Sequence, residues 1–181
     1  MGADSLRNDI GKPGNDVLLF LISNQEYSEK VREIAGASIK AFRKVCYISL
    51  NKPFETLFSS FRSNNIDAGK MIFIDCVTTG GRSPANGPKV FFVSSPNALT
   101  DLSISINKVI DEEKIDAIIF DSLSTLLVYQ QPSMVIKFSH SIISKLRAAK
   151  VKGVFTCLKE DIRGELVKDL SMFVDKIVEV G

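Results

Sequence analysis

The segment with the most chemical character is Ile115-Asp116-Ala117-Ile118-Ile119-Phe120-Asp121-Ser122-Leu123-Ser124. Four apolar residues running into an acid form the pattern in which a strand-end carboxylate holds Mg²⁺, through water, beside a nucleotide's phosphates. The same pattern serves an Asp that merely caps the next turn, and it is common in α/β proteins. Other reactive side chains are sparse. The single histidine, His140, lies inside a helical pattern, so neither a zinc cluster nor a Ser-His-Asp triad is expected. Cys46, Cys76 and Cys157 form no Cys-x-x-Cys pair and sit in or at the end of apolar runs, which predicts buried free thiols.

A phosphate-binding loop needs glycines, so that successive backbone N–H groups can close around phosphate, and a Lys that reaches the outer oxygens. The place for it is the turn after the first apolar run, Ser23-Asn24-Gln25-Glu26-Tyr27-Ser28-Glu29-Lys30, which holds no glycine. Glu26 and Glu29 bring negative charge to a helix start that would otherwise favour an anion. Lys30 stands one position away from the slot such a lysine takes, and Glu29 fills that slot. Two glycine-bearing segments elsewhere read as turns. Gly11-Lys12-Pro13-Gly14 precedes the first strand, and Gly80-Gly81 leads into Pro84 and Pro88 instead of a helix.

The elements that must position these groups follow from hydrophobic periodicity. Short apolar, β-branched or aromatic runs at 17–22, 45–50, 70–75, 90–93, 117–121, 153–157 and 174–180 predict strands buried on both faces. Between them, apolar residues recur at helical spacing: Val31 to Phe42; Phe54 to Phe61, with Asn51 as upstream cap and Pro53 near the first turn; Leu102 to Ile110; Met134 to Ala149 after Pro132; and Ile162, Leu166 and Leu170. Such alternation predicts an α/β fold, a mainly parallel sheet with helices on both faces. Residues 1–15 read as a loose N-terminal lead-in, residues 16–181 as one domain, and residues 77–88 as a long loop.

The chain has 181 residues, 45% hydrophobic and 24% charged, and 23 basic against 21 acidic side chains give a formal net charge of +2. That balance suits an ordinary globular domain and offers no clear nucleic-acid signal and no polybasic membrane signal. No apolar stretch of membrane-spanning length exists, no signal peptide precedes the first polar segment, and Leu6 stands where a myristoylation signal requires Ser or Thr. A cytoplasmic location is expected.

The segment from Asp116 to Leu127 resembles the Walker B region of RecA/KaiC-type P-loop ATPases, including the Asp-Ser-Leu-Ser run at 121–124. Residues 45–53 are similar to that class's second core strand, Gly153 to Cys157 to the strand ending in a polar sensor residue, with Thr156 as the nearest match, and Leu170 to Val180 to its closing strand with Asp175 and Ile177. The likeness, which is to the Rad55 type of the class, covers roughly residues 16–180. It implies a RecA-like three-layer sandwich, with the strand ending at Cys157 between those ending at Ile22 and Asp121. It also implies a degenerate Walker A at Ser23–Lys30. Where the class carries its catalytic glutamates this chain has Asn51 and Lys52, neither of which acts as a general base toward water.

The expected function is that of a non-catalytic RecA/KaiC-like domain, a pseudo-ATPase that binds a protein partner or a second copy of itself, with no cofactor. Tyr27, Tyr129 and Gln130, followed by Gln131 and Pro132, are the candidate partner-binding rim at the strand ends, because Tyr buries large area with little entropy loss. The alternative is an atypical nucleotide-binding ATPase, in which Asp121, Lys30 and Thr156 would meet Mg-ATP and Asp121 would face the metal. A third reading, a signalling domain of flavodoxin-like topology, would use Asp75 or Asp121 as an acceptor and fits the 77–88 loop poorly.

Overall fold

In the computed structural model, which describes residues 3–12, 14 and 16–181, the strands are β1 (Val17–Ile22), β2 (Val45–Ser49), β3 (Met71–Asp75), β4 (Val90–Phe92), β5 (Ala117–Asp121), β6 (Lys152–Leu158) and β7 (Lys176–Val180). All pair in parallel, in the order β4-β3-β2-β5-β6-β1-β7. The expected placement of the strand ending near Cys157 between those ending at Ile22 and Asp121 is therefore observed. Parallel neighbours need crossovers, and the helices supply them. These are α1 (Ala3–Gly11), α2 (Tyr27–Ala41), α3 (Phe54–Ser63), α4 (Leu99–Glu113), α5 (Leu123–Tyr129), α6 (Pro132–Ala149) and α7 (Glu165–Leu170).

The period of two along each strand divides the core. In β1, Val17, Leu19 and Leu21 join Leu102, Ile106, Ile142 and Leu166 in one cluster, against α4 to α7. Leu18, Phe20 and Ile22 join Leu6, Ile10, Ile34 and Phe61 in the other, against α1 to α3. The three layers are thus helices, sheet, helices. Cys46, Cys76 and Cys157 are buried free thiols, as their apolar settings predicted, and burial pushes the Cys157 thiol up to about 11. His140 is exposed on α6, its ring 4.5 Å from that of Phe173.

Three expectations need correction. The lead-in expected to be loose forms α1, because Leu6 and Ile10 bury completely or nearly so beneath α2. Ion pairing adds to that seat. Asp9 accepts from Lys176 Nζ at 2.6 Å, and the buried Lys152 Nζ donates to the Lys12 carbonyl at 3.0 Å. Second, Asn51 does not cap α3. Pro53 holds the cap position without a side-chain bond, and the Phe54 N–H is taken by Asp75 Oδ2 at 2.8 Å. Third, α5 was not anticipated. It is seven residues long, too short for a visible stripe, and Ser122 caps it by accepting from the Thr125 N–H. Of the last expected stripe, Ile162 belongs to a 3₁₀ turn and α7 begins only at Glu165.

The 77–88 segment is a loop joining β3 to β4, tied at its end by the Val90 N–H to Ser83 Oγ at 3.0 Å. Gly81 is required within it, since a Cβ there would lie 2.2 Å from the Phe92 ring.

Candidate functional site

The carboxyl ends of β1, β2, β5 and β6 converge on one crevice, the position at which open parallel sheets bind ligands. Its centre is Asp121, the last residue of β5, only 3% exposed. Tyr27, the first residue of α2, donates from its hydroxyl to Asp121 Oδ1 at 2.6 Å, and Asn51 Nδ2 donates to the same oxygen at 2.9 Å. Tyr47, mid-strand in β2 and fully buried, donates to Oδ2 at 2.6 Å. The Asn51 amide oxygen in turn accepts from Thr125 Oγ1. The Asp121–Ser122 peptide is cis.

The protons in this cluster can be counted. Thr156 Oγ1 donates to the Phe120 carbonyl at 3.0 Å and lies 2.8 Å from the Tyr27 oxygen. With Asp121 ionised, the one Tyr27 proton goes to the carboxylate and the Tyr27–Thr156 contact holds none. With Asp121 protonated, a continuous run from Asp121 through Tyr27 and Thr156 to the Phe120 carbonyl uses every proton. Electrostatics runs the same way. Burial raises the Asp121 carboxyl above its ordinary range, against the opposing hydrogen bonds from Tyr27, Tyr47 and Asn51. Both phenols are pushed well above theirs, first by burial and then by the neighbouring Asp121 charge.

The turn between β1 and α2 is closed on itself. The Glu26 N–H bonds the Ser23 carbonyl at 3.2 Å, and the Asn24 N–H reaches Glu160 Oε1 at 3.3 Å. Ser23 Oγ donates to the Glu26 carboxylate at 3.3 Å. Lys30, named with Asp121 and Thr156 as a candidate nucleotide-binding group, turns along α2 to Glu33 at 3.2 Å and does not line the crevice. The structure therefore brings Asp121 and Thr156 together and leaves Lys30 out.

The tyrosines expected at one rim part company in the same way. Tyr27 points inward to Asp121, whereas Tyr129, at the end of α5, is 51% exposed. Gln130 Nε2 bonds the Asn97 carbonyl at 3.1 Å. Asp75 is engaged by four protein donors, the N–H groups of Phe54, Val77 and Thr78 and the Thr78 hydroxyl, and is 1% exposed. An acceptor role would need it free. Among the described residues no group of three or more His, Cys, Asp or Glu side chains is placed to hold a metal, and no helix is long and apolar enough to cross a membrane.

Sequence reasoning missed Tyr47. Its signal was a hydroxyl-bearing residue within the continuous apolar run of a buried strand, where the O–H must find a partner. Asn51 was noticed and given the wrong partner.

Sheet order, three layers and the crevice define a RecA-like α/β domain. The KaiC-like protein PH0186 from Pyrococcus horikoshii superposes with a TM-score of 0.67 at 13% identity, over 93% of this chain and 74% of that one. The flagellar accessory protein FlaH from Methanocaldococcus jannaschii does so at 0.60 and 13%, over 99% and 77%. At such identity the likeness is one of fold. No curated protein matches the sequence. Residues 55–180 match the model of a family of unknown function, DUF7504, and the chain belongs to that family.

Proposed function

We propose that this chain is a pseudo-ATPase, a RecA/KaiC-like domain with a degenerate Walker A that acts by binding a protein partner and not by hydrolysing nucleotide. The observation carrying this reading is the Tyr27 hydroxyl, held between Asp121 and Thr156 at 2.6 and 2.8 Å. In the class this chain resembles, those two positions face the phosphates and their Mg²⁺. Here both Asp121 oxygens already accept from protein donors, and a carboxyl whose burial favours the neutral form is a poor ligand for a dication. The turn before α2 adds two obstacles, the Glu26 N–H already bonded to the Ser23 carbonyl and the Glu26 carboxylate itself. Mg-ATP does not fit these residues.

Support for protein binding comes from the surface beside the crevice. Val128 is 77% exposed, Tyr129 51% and Met134 47%, three large apolar residues within one turn-linked stretch of α5 and α6. Calorimetric titration with Mg-ATP is expected to give no binding at sub-millimolar affinity. Saturable heat, or phosphate release that disappears in Asp121→Asn, would establish the alternative, an atypical ATPase. For the partner half, Val128→Ser with Tyr129→Ala should leave the fold intact and change the sedimentation mass or the set of co-purifying proteins. If neither changes, this surface is not the contact.

A further inference from the structure

Tyr27 and the Asp121 cluster fill only part of the crevice. Beside them a cavity of about 280 Å³ remains, bounded by α2, the β2–α3 turn, α3 and α5. Its apolar lining is Val128, 77% exposed on α5, with the edges of the core residues Val31 and Leu57, while Phe61 behind them is fully buried. The lining also carries two cations, Arg32 from α2 and Lys52 from the turn after β2. Among the described residues neither forms an ion pair, and Lys52 Nζ reaches only the Ser28 hydroxyl, at 3.3 Å. The only acid in the lining is Asp121, whose oxygens are taken up by Tyr27, Tyr47 and Asn51. Ligand sites in general pair a mostly apolar concavity with a few convergent polar groups.

We infer that this cavity binds a small amphipathic carboxylate, its aromatic or branched apolar body against Val128, Val31 and Leu57 and its anionic head toward Arg32 and Lys52. The size limits the class, since the volume sits at the low end of the roughly 300–1,000 Å³ of ligand pockets. The charge limits it further. Arg32 offers a planar fork suited to a carboxylate. The site lies beside the Tyr27 barrier and does not depend on the nucleotide reading, because its donors and walls differ from those a triphosphate would require.

The test uses 3-phenylpropionate as probe, titrated into the full chain and followed by two-dimensional NMR, with 3-phenylpropionamide, propionate and phenyl phosphate as comparators. For a ligand of this size a Kd on the order of 1 mM is expected, with shifts at Val128, Val31 and Leu57. The amide, lacking the charge, and propionate, lacking the body, should each bind about tenfold more weakly or worse. Arg32→Leu and Lys52→Met, both at the rim, should each weaken 3-phenylpropionate about tenfold without unfolding the chain. Ser60→Phe, which fills the cavity from α3, should abolish it. Absence of binding, equal binding of the amide, or indifference to both rim variants overturns the proposal. Tighter binding of phenyl phosphate overturns the carboxylate assignment.

Discussion

Replacing Asp121 with Asn tests the protonation state on which the crevice is built. The folded-state pKa of Asp121 is raised, chiefly by burial. An unfolded Asp titrates near 3.9. Above that value the unfolded chain has released a proton that the native chain still holds, so the difference in bound protons between unfolded and native states is negative and stability falls as pH rises. The loss begins near pH 3.9, continues until the raised folded pKa is passed, and then levels off. While a whole proton separates the two states the slope is about 1.4 kcal/mol per pH unit. Asn at this site is neutral at every pH and can still accept from Tyr47, so the variant should lack this contribution. Urea unfolding of both proteins at steps from pH 3.5 to pH 8 gives the difference directly, and groups common to both cancel. The wild type should lose ground to Asp121→Asn as pH rises. A wild type that gains ground with pH would mean that the native carboxylate is ionised, and the reasoning from burial and from the proton run would fail.

Both phenols should carry weight. Tyr47→Phe leaves Asp121 Oδ2 buried without its partner and Tyr27→Phe interrupts the run between Asp121 and Thr156, so each should cost about 1–3 kcal/mol in chemical denaturation; an unchanged midpoint in either variant would contradict the geometry. Ile10→Ala should destabilise by about 2–5 kcal/mol because the side chain is wholly enclosed, and an unchanged midpoint would show that α1 does not pack as described. Asp175 opposes Asp121 in sign. Burial tends to raise it, but the Val17 N–H at 2.7 Å and Arg147 at 3.0 Å outweigh that and hold it below the usual range. Its contribution is present above about pH 3.9 and lost as pH falls through the depressed folded value. Because both partners are more than a third exposed, Asp175→Asn should cost at most about 1 kcal/mol at pH 7, and progressively less as pH falls below about 3.9.

Local periodicity was enough for most of the architecture. Seven apolar runs marked seven strands, and their separation by helical stripes required crossovers and hence parallel pairing, because period and handedness are properties of the backbone itself. The placement of β6 between β1 and β5 came from resemblance to the class and matched the sheet. Elements without a stripe long enough to register were the ones misread. Polar Gly and Asn residues masked the Leu6 and Ile10 face of α1, whose burial exists only once α2 packs against it, and α5 is two turns held by its cap.

At the site, sequence supplied Asp121 and Thr156 but not what surrounds them. Tyr27, Tyr47 and Asn51 come from three segments up to 94 residues from Asp121, and no local pattern links them. Parallel register brings β2 beside β5, Ser49 opposite Asp121, so that the Tyr47 hydroxyl reaches the carboxylate at 2.6 Å. The start of α2 then aims Tyr27 inward while Lys30, one turn on, faces Glu33. Helical rotation of about 100° per residue decides which side chain enters the crevice. Side-chain identity is written in the chain; direction, burial and the resulting proton affinity arise only when the layers close.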